Sequence, residues 1–444
     1  MNKPKEKFSE DKMKKIISLA KRRGFIFPGS EIYGGLQNSW DYGPLGVELK
    51  NNIKQEWWRR FVHARADMVG LDAALIMNPQ VWEASGHIKN FTDPLVECKQ
   101  CHGRFRSDTL DDPNKCPKCG TKGSFTESQE FNMMLETYIG PAREKANIAY
   151  FRPETAQAIF VDFKQILDTS RKRIPFGVAQ IGKAFRNEIT PGNYIFRTRE
   201  FEQMEIEFFI KETEWEKWFE HWLGEMKTWI KDLGIDEKNV EYIEIPDGER
   251  AHYSKRTVDI EYKFPFGQKE LYGLAYRGDY DLTSHMKESG KDLSYTNPED
   301  PSDKFVPHVI EPSLGVDRTL LAVMLDAYTE EKAGDEERVV MKFEKWLAPK
   351  KVAVLPLMRK EELVGPVKEI FITLSKQFVC DYDETGSIGK RYRRQDEIGT
   401  PYCVTFDYDS LEDKAVTVRD RDTMAQERIK IEDLGEYLKK GLKG

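Results

Sequence analysis

Residues 185–209 read FRNEITPGNYIFRTREFEQMEIEFF, with three arginines, five glutamates and six aromatics. A solvated charge run would carry fewer aromatics, and a packed core strand fewer charges. Taken as a strand, 201–209 places Gln203, Glu205 and Glu207 on one face and Met204, Ile206 and Phe208 on the other. The apolar face can pack against helices. The polar face gathers carboxylates and an amide, which are costly to bury unless something positive binds there. Arg186 and Glu188 are expected to alternate in the same way on a preceding strand, joined through a Pro191-Gly192-Asn193 turn. A platform of both signs suits a ligand carrying an ammonium for the carboxylates and phosphates for the arginines. The plainer alternative is an exposed sheet with cross-strand ion pairs.

The surrounding chain narrows the choice. At 444 residues it is too long for one ordinary core, so two or three domains are expected. A net charge of -7 argues against coating nucleic acid through an overall field, but leaves room for local basic surfaces. Two such clusters are Arg171-Lys172-Arg173 and, within GSIGKRYRRQ, Lys390, Arg391, Arg393 and Arg394. The N-terminal MNKPKEKFSEDK has no apolar run, and the longest aliphatic stretch is near LLAVML. A cytoplasmic protein without membrane contact is the expectation.

Helical spacing predicts a helix over 11–23, stopped by Gly24, and a second from about Val47 to Val62 with Leu49, Ile53, Trp57 and Phe61 four apart. Residues 71–79, LDAALIMNP, read as a short strand ended by Pro79. Strands are predicted at 176–188 and 196–210, then a helix over 213–233 with Trp215, Trp218, Trp222, Met226 and Trp229 on one stripe. Short strands follow to about 277. The polar SHMKESGKDLSYTNPEDPSDK (284–304) reads as a surface loop, and a strand-to-helix unit starts at Val309. Beyond TEEKAGDEER, strands and helices alternate (KVAVLPL, VGPVKEIFITLSKQF, FVCDYD, SIGKRYRRQDEIG, PYCVTFDYD), which predicts a separate C-terminal α/β domain.

Cys98-Lys-Gln-Cys101 and Cys116-Pro-Lys-Cys119 lie 14 residues apart. Four thiolates at this spacing suit a tetrahedral zinc ion, and a closed set of four cysteines leaves no position for a catalytic water, so the metal is read as structural. Cys380 and Cys403 sit in predicted strands and read as core.

Arg186-x-Glu188, a loop, and Arg197-x-x-x-Phe201-x-x-x-Glu205 together resemble the second signature motif of the class II aminoacyl-tRNA synthetases. EPSLGVDR (311–318) resembles the third, and LDAALIMNP resembles the first, which in the family lies at the dimer interface. The C-terminal segment is similar to the anticodon-binding domain of subclass IIa. Within the class, the homodimeric glycyl-tRNA synthetase family is most similar, through RGFIFPGSEIYGGLQNSWDYGPLGVELKNN, WEASGH, FRPETAQ, GKAFRNEI, YRGDYDL, HVIEPSLGVDR and GKRYRRQDEIGTPYCVT.

The resemblance implies an α+β fold. An antiparallel catalytic domain would span residues 1–345, with a zinc-binding insertion at about 95–140 and another at about 211–300. An anticodon-binding domain would span 346–444. It implies a homodimer that ligates glycine to tRNA(Gly) through a glycyl-adenylate, using ATP with Mg²⁺. Arg186 and Arg318 would be catalytic. Arg186, Asn187, Glu188, Phe196, Arg197, Phe201, Glu270, Leu271, Gly315, Val316, Asp317 and Arg318 would bind ATP, with Glu270 also suited to Mg²⁺. Glycine would fall to Arg106, Glu154, Phe201, Glu202, Gln203, Met204, Glu205, Arg277, Glu311, Ser313 and Gly315. Many relatives carry glycine near Ser313, and the hydroxyl here fits a small site that denies space to a Cβ. Cys98, Cys101, Cys116 and Cys119 would hold zinc. Lys390, Arg391, Arg393 and Arg394 would meet the tRNA near its anticodon. A non-catalytic synthetase-like nucleic-acid-binding protein, or another class IIa amino-acid specificity, remains the alternative.

Overall fold

Alternating residues on the 201–209 segment build the centre of a seven-stranded sheet. The computed structural model describes residues 6–442, apart from 142–143, 145–146, 190–191, 252 and 334–335. The sheet's strands are β1 (Met68–Gly70), β2 (Phe176–Phe185), β3 (Glu200–Ile210), β4 (Val240–Glu244), β5 (Arg256–Phe264), β6 (Gly267–Gly278) and β7 (His308–Gly315). They run in the order β4-β5-β6-β7-β3-β2-β1, antiparallel except for the short parallel pair β2/β1. Met204, Ile206 and Phe208 of β3 face the main core, as the alternation requires. Helices α1 (Glu6–Arg23), α2 (Pro44–Trp58), α4 (Trp215–Asp232) and α6 (Val316–Ala327) fill that side; α3 (Ala156–Ser170) and α5 (Tyr280–Ser289) cover the other.

The helices follow their apolar stripes. On α4, Phe219, Trp222, Met226, Trp229 and Ile230 are buried, and Trp218 and Trp222 pack on Phe208 with ring centroids 4.7 and 5.4 Å away. α1 stops where Gly24 takes a φ of +80° and the Phe25 N–H turns back to the Ala20 carbonyl. α2 begins at Pro44, three residues before the expected start, because a proline fits the first helical turn.

Three expectations are corrected. β2 ends at Phe185, so Arg186 and Glu188 lie beyond the strand; the Asn187 N–H leaves the ladder for the Met133 carbonyl. Pro191, part of the expected turn, lies outside the described residues; beyond it, Gly192 and Arg197 exchange backbone hydrogen bonds of 3.1 and 3.2 Å. LDAALIMNP is not one strand: Ile76–Met77 pairs with Tyr150–Phe151, and Pro79 starts a short helix whose first turn is capped by the Asn78 side chain. Its preceding residues are held by side chains, with the Ala73 N–H donating to Gln180. The polar 284–304 segment is not all loop, since Asp281, Leu282 and His285 turn inward along α5, and Tyr295–Thr296 pairs with Lys304–Phe305.

The C-terminal sheet contains β8 (Val352–Pro356), β9 (Cys380–Tyr382), β10 (Tyr402–Phe406), β11 (Ala415–Asp420) and β12 (Gln426–Lys430), in the order β9-β8-β10-β11-β12. β9, β8 and β10 are parallel; β11 and β12 return antiparallel. Cys380 and Cys403 are buried in this sheet, as expected. Helix α7 (Glu361–Leu374) packs on this sheet, and helix α8 (Ile388–Ile398) carries the basic GKRYRRQ segment and is fastened to the larger body at its C-terminal end. Asp396 is buried and accepts from Arg338 at 2.9 Å and from Arg419 at 2.9 and 3.0 Å. Glu397 pairs with Arg22 and Arg23 of α1. Removing this buried carboxylate leaves Arg419 without its ion-pair partner and Arg338 with Glu331 alone. Asp396→Ala is therefore expected to lower stability by about 3–5 kcal/mol, read by urea unfolding; a loss below about 1 kcal/mol would contradict the fastening role.

Candidate active site

Strands β3, β6 and β7 lie side by side, and their register brings Gln203 opposite Gly315, Glu205 opposite Ser313 and Ala275 opposite Glu311. One open cleft, enclosing about 700 Å³ with part of it open solvent, runs over this junction. At one end three guanidinium groups gather. Arg186 sits 5.2 Å from the ring centroids of both Phe91 and Phe201, with its Nε donating to the Pro153 carbonyl at 3.0 Å. Arg318, at the start of α6, stacks 4.4 Å over Phe196 and pairs with the Glu270 carboxylate at 3.1 Å. Phe196 is fixed in turn by Phe264 and Phe266. Enclosure opposes ionisation of Glu270, but Arg318, then Arg186 and Arg197, hold its carboxyl below the usual range. Three cations around one accessible carboxylate form a site for a polyanion with aromatic faces beside it.

The other end is a pocket of buried carboxylates. Glu205 accepts from the hydroxyls of Thr155 and Ser313, the latter at 2.8 Å, and from the Gln203 amide at 3.3 Å. Arg277 sits where the β6/β7 register shifts, and this bulge turns its buried side chain onto Asp281 through two 2.8 Å bonds and onto Glu311 at 2.7 Å. Tyr253 lies 3.8 Å from the guanidinium. Burial opposes ionisation of Glu154, yet His87, 3.3 Å away, and then Arg277 keep its carboxyl below the ordinary range. Burial pushes Glu311 up to about 8 and raises Glu205 as well. Gln203 and Ser313 both line the cleft and both bond Glu205, so the two ends meet there.

The structure brings together Glu154, Gln203, Glu205, Arg277, Glu311 and Ser313 around the carboxylates, and Arg186, Glu188, Arg197, Phe201, Glu270, Gly315 and Arg318 around the cleft. Others from the sequence are placed differently. Met204 and Val316 are packed in the core beneath the sheet, because alternation and the first turn of α6 point them there. Leu271 is buried in the same core at the cleft floor. Glu202 is committed to Lys50 and Lys54, and Asp317 to Lys50, the Tyr42 hydroxyl and the Glu202 N–H. Both still line the cleft, where they brace the strand and helix ends that carry Phe201 and Arg318. Asn187 is anchored to the insertion through its backbone. Arg106, in the insertion, is held by Asp93 at 3.0 Å and Asp108 at 2.7 Å. Sequence reasoning gave no role to His87, Thr155 or Asp281. Asp281 stands four residues after Arg277, a spacing that could have revealed it.

The insertion contains a three-stranded sheet, Thr92–Glu97 with Arg104–Arg106 and Gln129–Asn132, and the cysteine cluster. Each CxxC turns back on itself: His102 N–H to Cys98 O and Gly120 N–H to Cys116 O. The sulfurs of Cys98 and Cys119 are 3.7 Å apart, those of Cys101 and Cys116 3.6 Å, and all four fall within 4.8 Å of one another. Tetrahedral zinc with bonds of about 2.3 Å has sulfur–sulfur edges of about 3.8 Å, so this donor set fits that ion. On α8, Lys390 and Arg393 are exposed, but Arg391 is buried and donates to the carbonyls of Pro356, Leu357 and Asp383. Arg391 is thus removed from the expected tRNA-facing set, since it satisfies strand-end carbonyls that would otherwise be orphaned. Arg394 is partly engaged with Asp383 and the Thr385 carbonyl. The other basic cluster is spent on local contacts, Lys172 on the Ala66 carbonyl and Arg173 on Glu299.

Among the described residues, no helix is long and apolar enough to cross a membrane. Residues 138–328 match the tRNA synthetase class II core domain (G, H, P, S and T), and residues 351–441 match the anticodon binding domain. A glycine–tRNA ligase of Thermobifida fusca is 53% identical, covering 97% of this chain and 98% of its own length. Those of Streptomyces coelicolor and Alkaliphilus oremlandii are each 52% identical, covering 98% of this chain and 99% of their own. An antiparallel sheet with both motif arginines at its strand and helix ends, a C-terminal mixed sheet and similarity along nearly the whole chain lead to one assignment: this α+β chain belongs to the glycine–tRNA ligase family of class II aminoacyl-tRNA synthetases.

Proposed function

We propose that the chain ligates glycine to tRNA(Gly) in two steps, forming glycyl-adenylate from ATP and glycine and then passing the glycyl group to a ribose hydroxyl of the tRNA. The observation that carries this reading is the junction at Gln203, where a cationic cleft meets a carboxylate pocket. Glycine's ammonium would enter among Glu205, Glu311 and Glu154, leaving its carboxylate pointed toward Arg186. That carboxylate attacks the α-phosphate, pyrophosphate leaves, and no protein nucleophile is required. Arg186 suits the α-phosphate and the attacking carboxylate together, since a planar guanidinium can bridge both. Arg197 and Arg318 suit the outer phosphates, and Phe201 the adenine face. Mg²⁺ would add charge neutralisation at the phosphates, with Glu270 as its protein-side carboxylate.

We place the catalytic unit in residues 1–345, with insertions at about 95–140 and 211–300, and the anticodon-binding unit in 346–444; the family matches at 138–328 and 351–441 support this division. Lys390 and Arg393, exposed on α8, with Arg394 beside them, would meet the tRNA backbone. A homodimer is supported by apolar side chains left open near the first motif: Leu75, Ile76, Tyr138 and Ile139 are 37%, 40%, 45% and 57% exposed. A cytoplasmic location suits the free thiols, since reducing compartments keep such cysteines unpaired.

Arg186→Ala is expected to lower glycine-dependent ATP–pyrophosphate exchange by about 100-fold or more while the protein stays folded; exchange near the parent rate would overturn the assignment. Metal analysis should find one zinc per chain, and the Cys98→Ser, Cys116→Ser double variant should lose it; full zinc retention would exclude this cluster as the site. Light scattering should give the mass of two chains, and a single-chain mass at micromolar concentration would contradict the homodimer.

A further inference from the structure

Glu207 is the one carboxylate of β3's polar face to which the two-step mechanism gives no task. It is fully buried, and among the described residues neither of its carboxyl oxygens has a hydrogen-bond partner. One of them lies within 4.8 Å of carboxylate oxygens of both Glu205 and Glu311. A buried ionised carboxylate with no donor is among the costliest states a side chain can adopt.

The charges facing Glu207 come from every element around it. Glu205 shares its strand, Glu311 and Ser313 lie on β7, and Arg277 lies at the β6 bulge. Asp281 and His285 come from α5, while Glu154, Thr155 and Gln157 come from the entry to α3. Arg277 is the one guanidinium bonded within this group, and it is already shared between Asp281 and Glu311. His87 serves Glu154, and burial keeps His285 neutral beside Gln157. Arg152, behind Gln180, gives its hydrogen bonds to the Lys183 and Ala73 carbonyls and to the Gln180 amide. Glu205, Glu207 and Glu311, crowded within 4.8 Å, therefore share too few cations for all three to be ionised at once.

We propose that Glu207 carries a proton while the pocket is free and releases it when the ammonium of glycine enters. The inference rests on the reading of this pocket as the glycine site. The Glu207 O–H bond breaks, the proton passes to solvent buffer, and the ammonium keeps its three hydrogens. One positive charge leaves as another arrives, so the pocket's charge is conserved. Burial first, and then Glu311, raise the Glu207 carboxyl well above the ordinary carboxylate range, which agrees with a protonated free state. Glu207 thereby becomes a specificity residue: a ligand with a neutral group in place of the ammonium would leave the proton where it is.

The sign follows from linkage. A group protonated in the free pocket and ionised in the complex makes binding tighter as pH rises, up to about tenfold per unit for one proton. The rise should flatten as Glu207 loses its proton in the free protein. Glycine titrated calorimetrically into the full-length protein across a series of pH values, in buffers of differing ionisation enthalpy, should show release rising to about one proton per glycine bound. Glu207→Gln should still bind glycine, more weakly, with that release abolished. Binding by the parent protein with no buffer dependence would overturn the inference and leave the site reading intact. Unchanged proton release in Glu207→Gln would overturn Glu207 as the carrier. No glycine binding in any buffer would instead overturn the site reading on which the inference stands. The parent measurement decides by itself should the variant fail to fold.

Discussion

Carboxylates crowded around the Arg277 guanidinium impose the constraint to which the rest of this structure answers. Asp281, Glu311, Glu154 and Glu205 are all buried or nearly so, and such a concentration of like charge would open a protein that did not confine it. Confinement comes from the sheet. β3, β6 and β7 fix three of the groups from the backbone, the β6 bulge aims Arg277, and α3 and α5 close the face with Thr155, Gln157 and Asp281. The aromatic and aliphatic core under β3 supplies the rigidity, with Phe208 locked against Trp218 and Trp222 directly behind the acidic residues. A hydrophobic face thus stabilises the strand whose other face is electrostatically strained.

The cationic cleft is braced by a separate network. Lys50 of α2 reaches both Glu202 and Asp317, and Asp317 in turn accepts from the Glu202 N–H. Glu202 follows Phe201 and Asp317 precedes Arg318, so one lysine fixes the chain beside an aromatic and a guanidinium of the cleft. Positioning of this kind matters because adenylate formation gains its rate from alignment and fixed charge rather than from a covalent intermediate.

Much of this was legible in the sequence because period-two alternation is a local property. Gln203, Glu205 and Glu207 fell on one face and Met204, Ile206 and Phe208 on the other, as read. The CxxC pairs and the strand-to-helix step at Gly315 were equally visible. What escaped was non-local or ran against polarity. Arg186 was placed on a strand because nothing in FRNEI signals that the Asn187 N–H bonds Met133 in an insertion. Arg391 was expected to face tRNA, yet α8 turns Arg391, Gln395 and Asp396 inward, a polar stripe that hydrophobic patterning reads as solvent-facing. His87 and Glu154 meet across an interval that no spacing rule spans.

We propose that a pocket built for an ammonium, with Ser313 and Glu205 joined across its floor, hands glycine's carboxylate to a phosphate-binding cleft. Pyrophosphate exchange with glycine, alanine and serine compared in one assay tests it most directly. Glycine should support exchange, and alanine and serine at least about tenfold less, the discrimination expected when a site must reject one added group. Exchange with alanine at the glycine rate, or stronger activation of a larger amino acid, would contradict it.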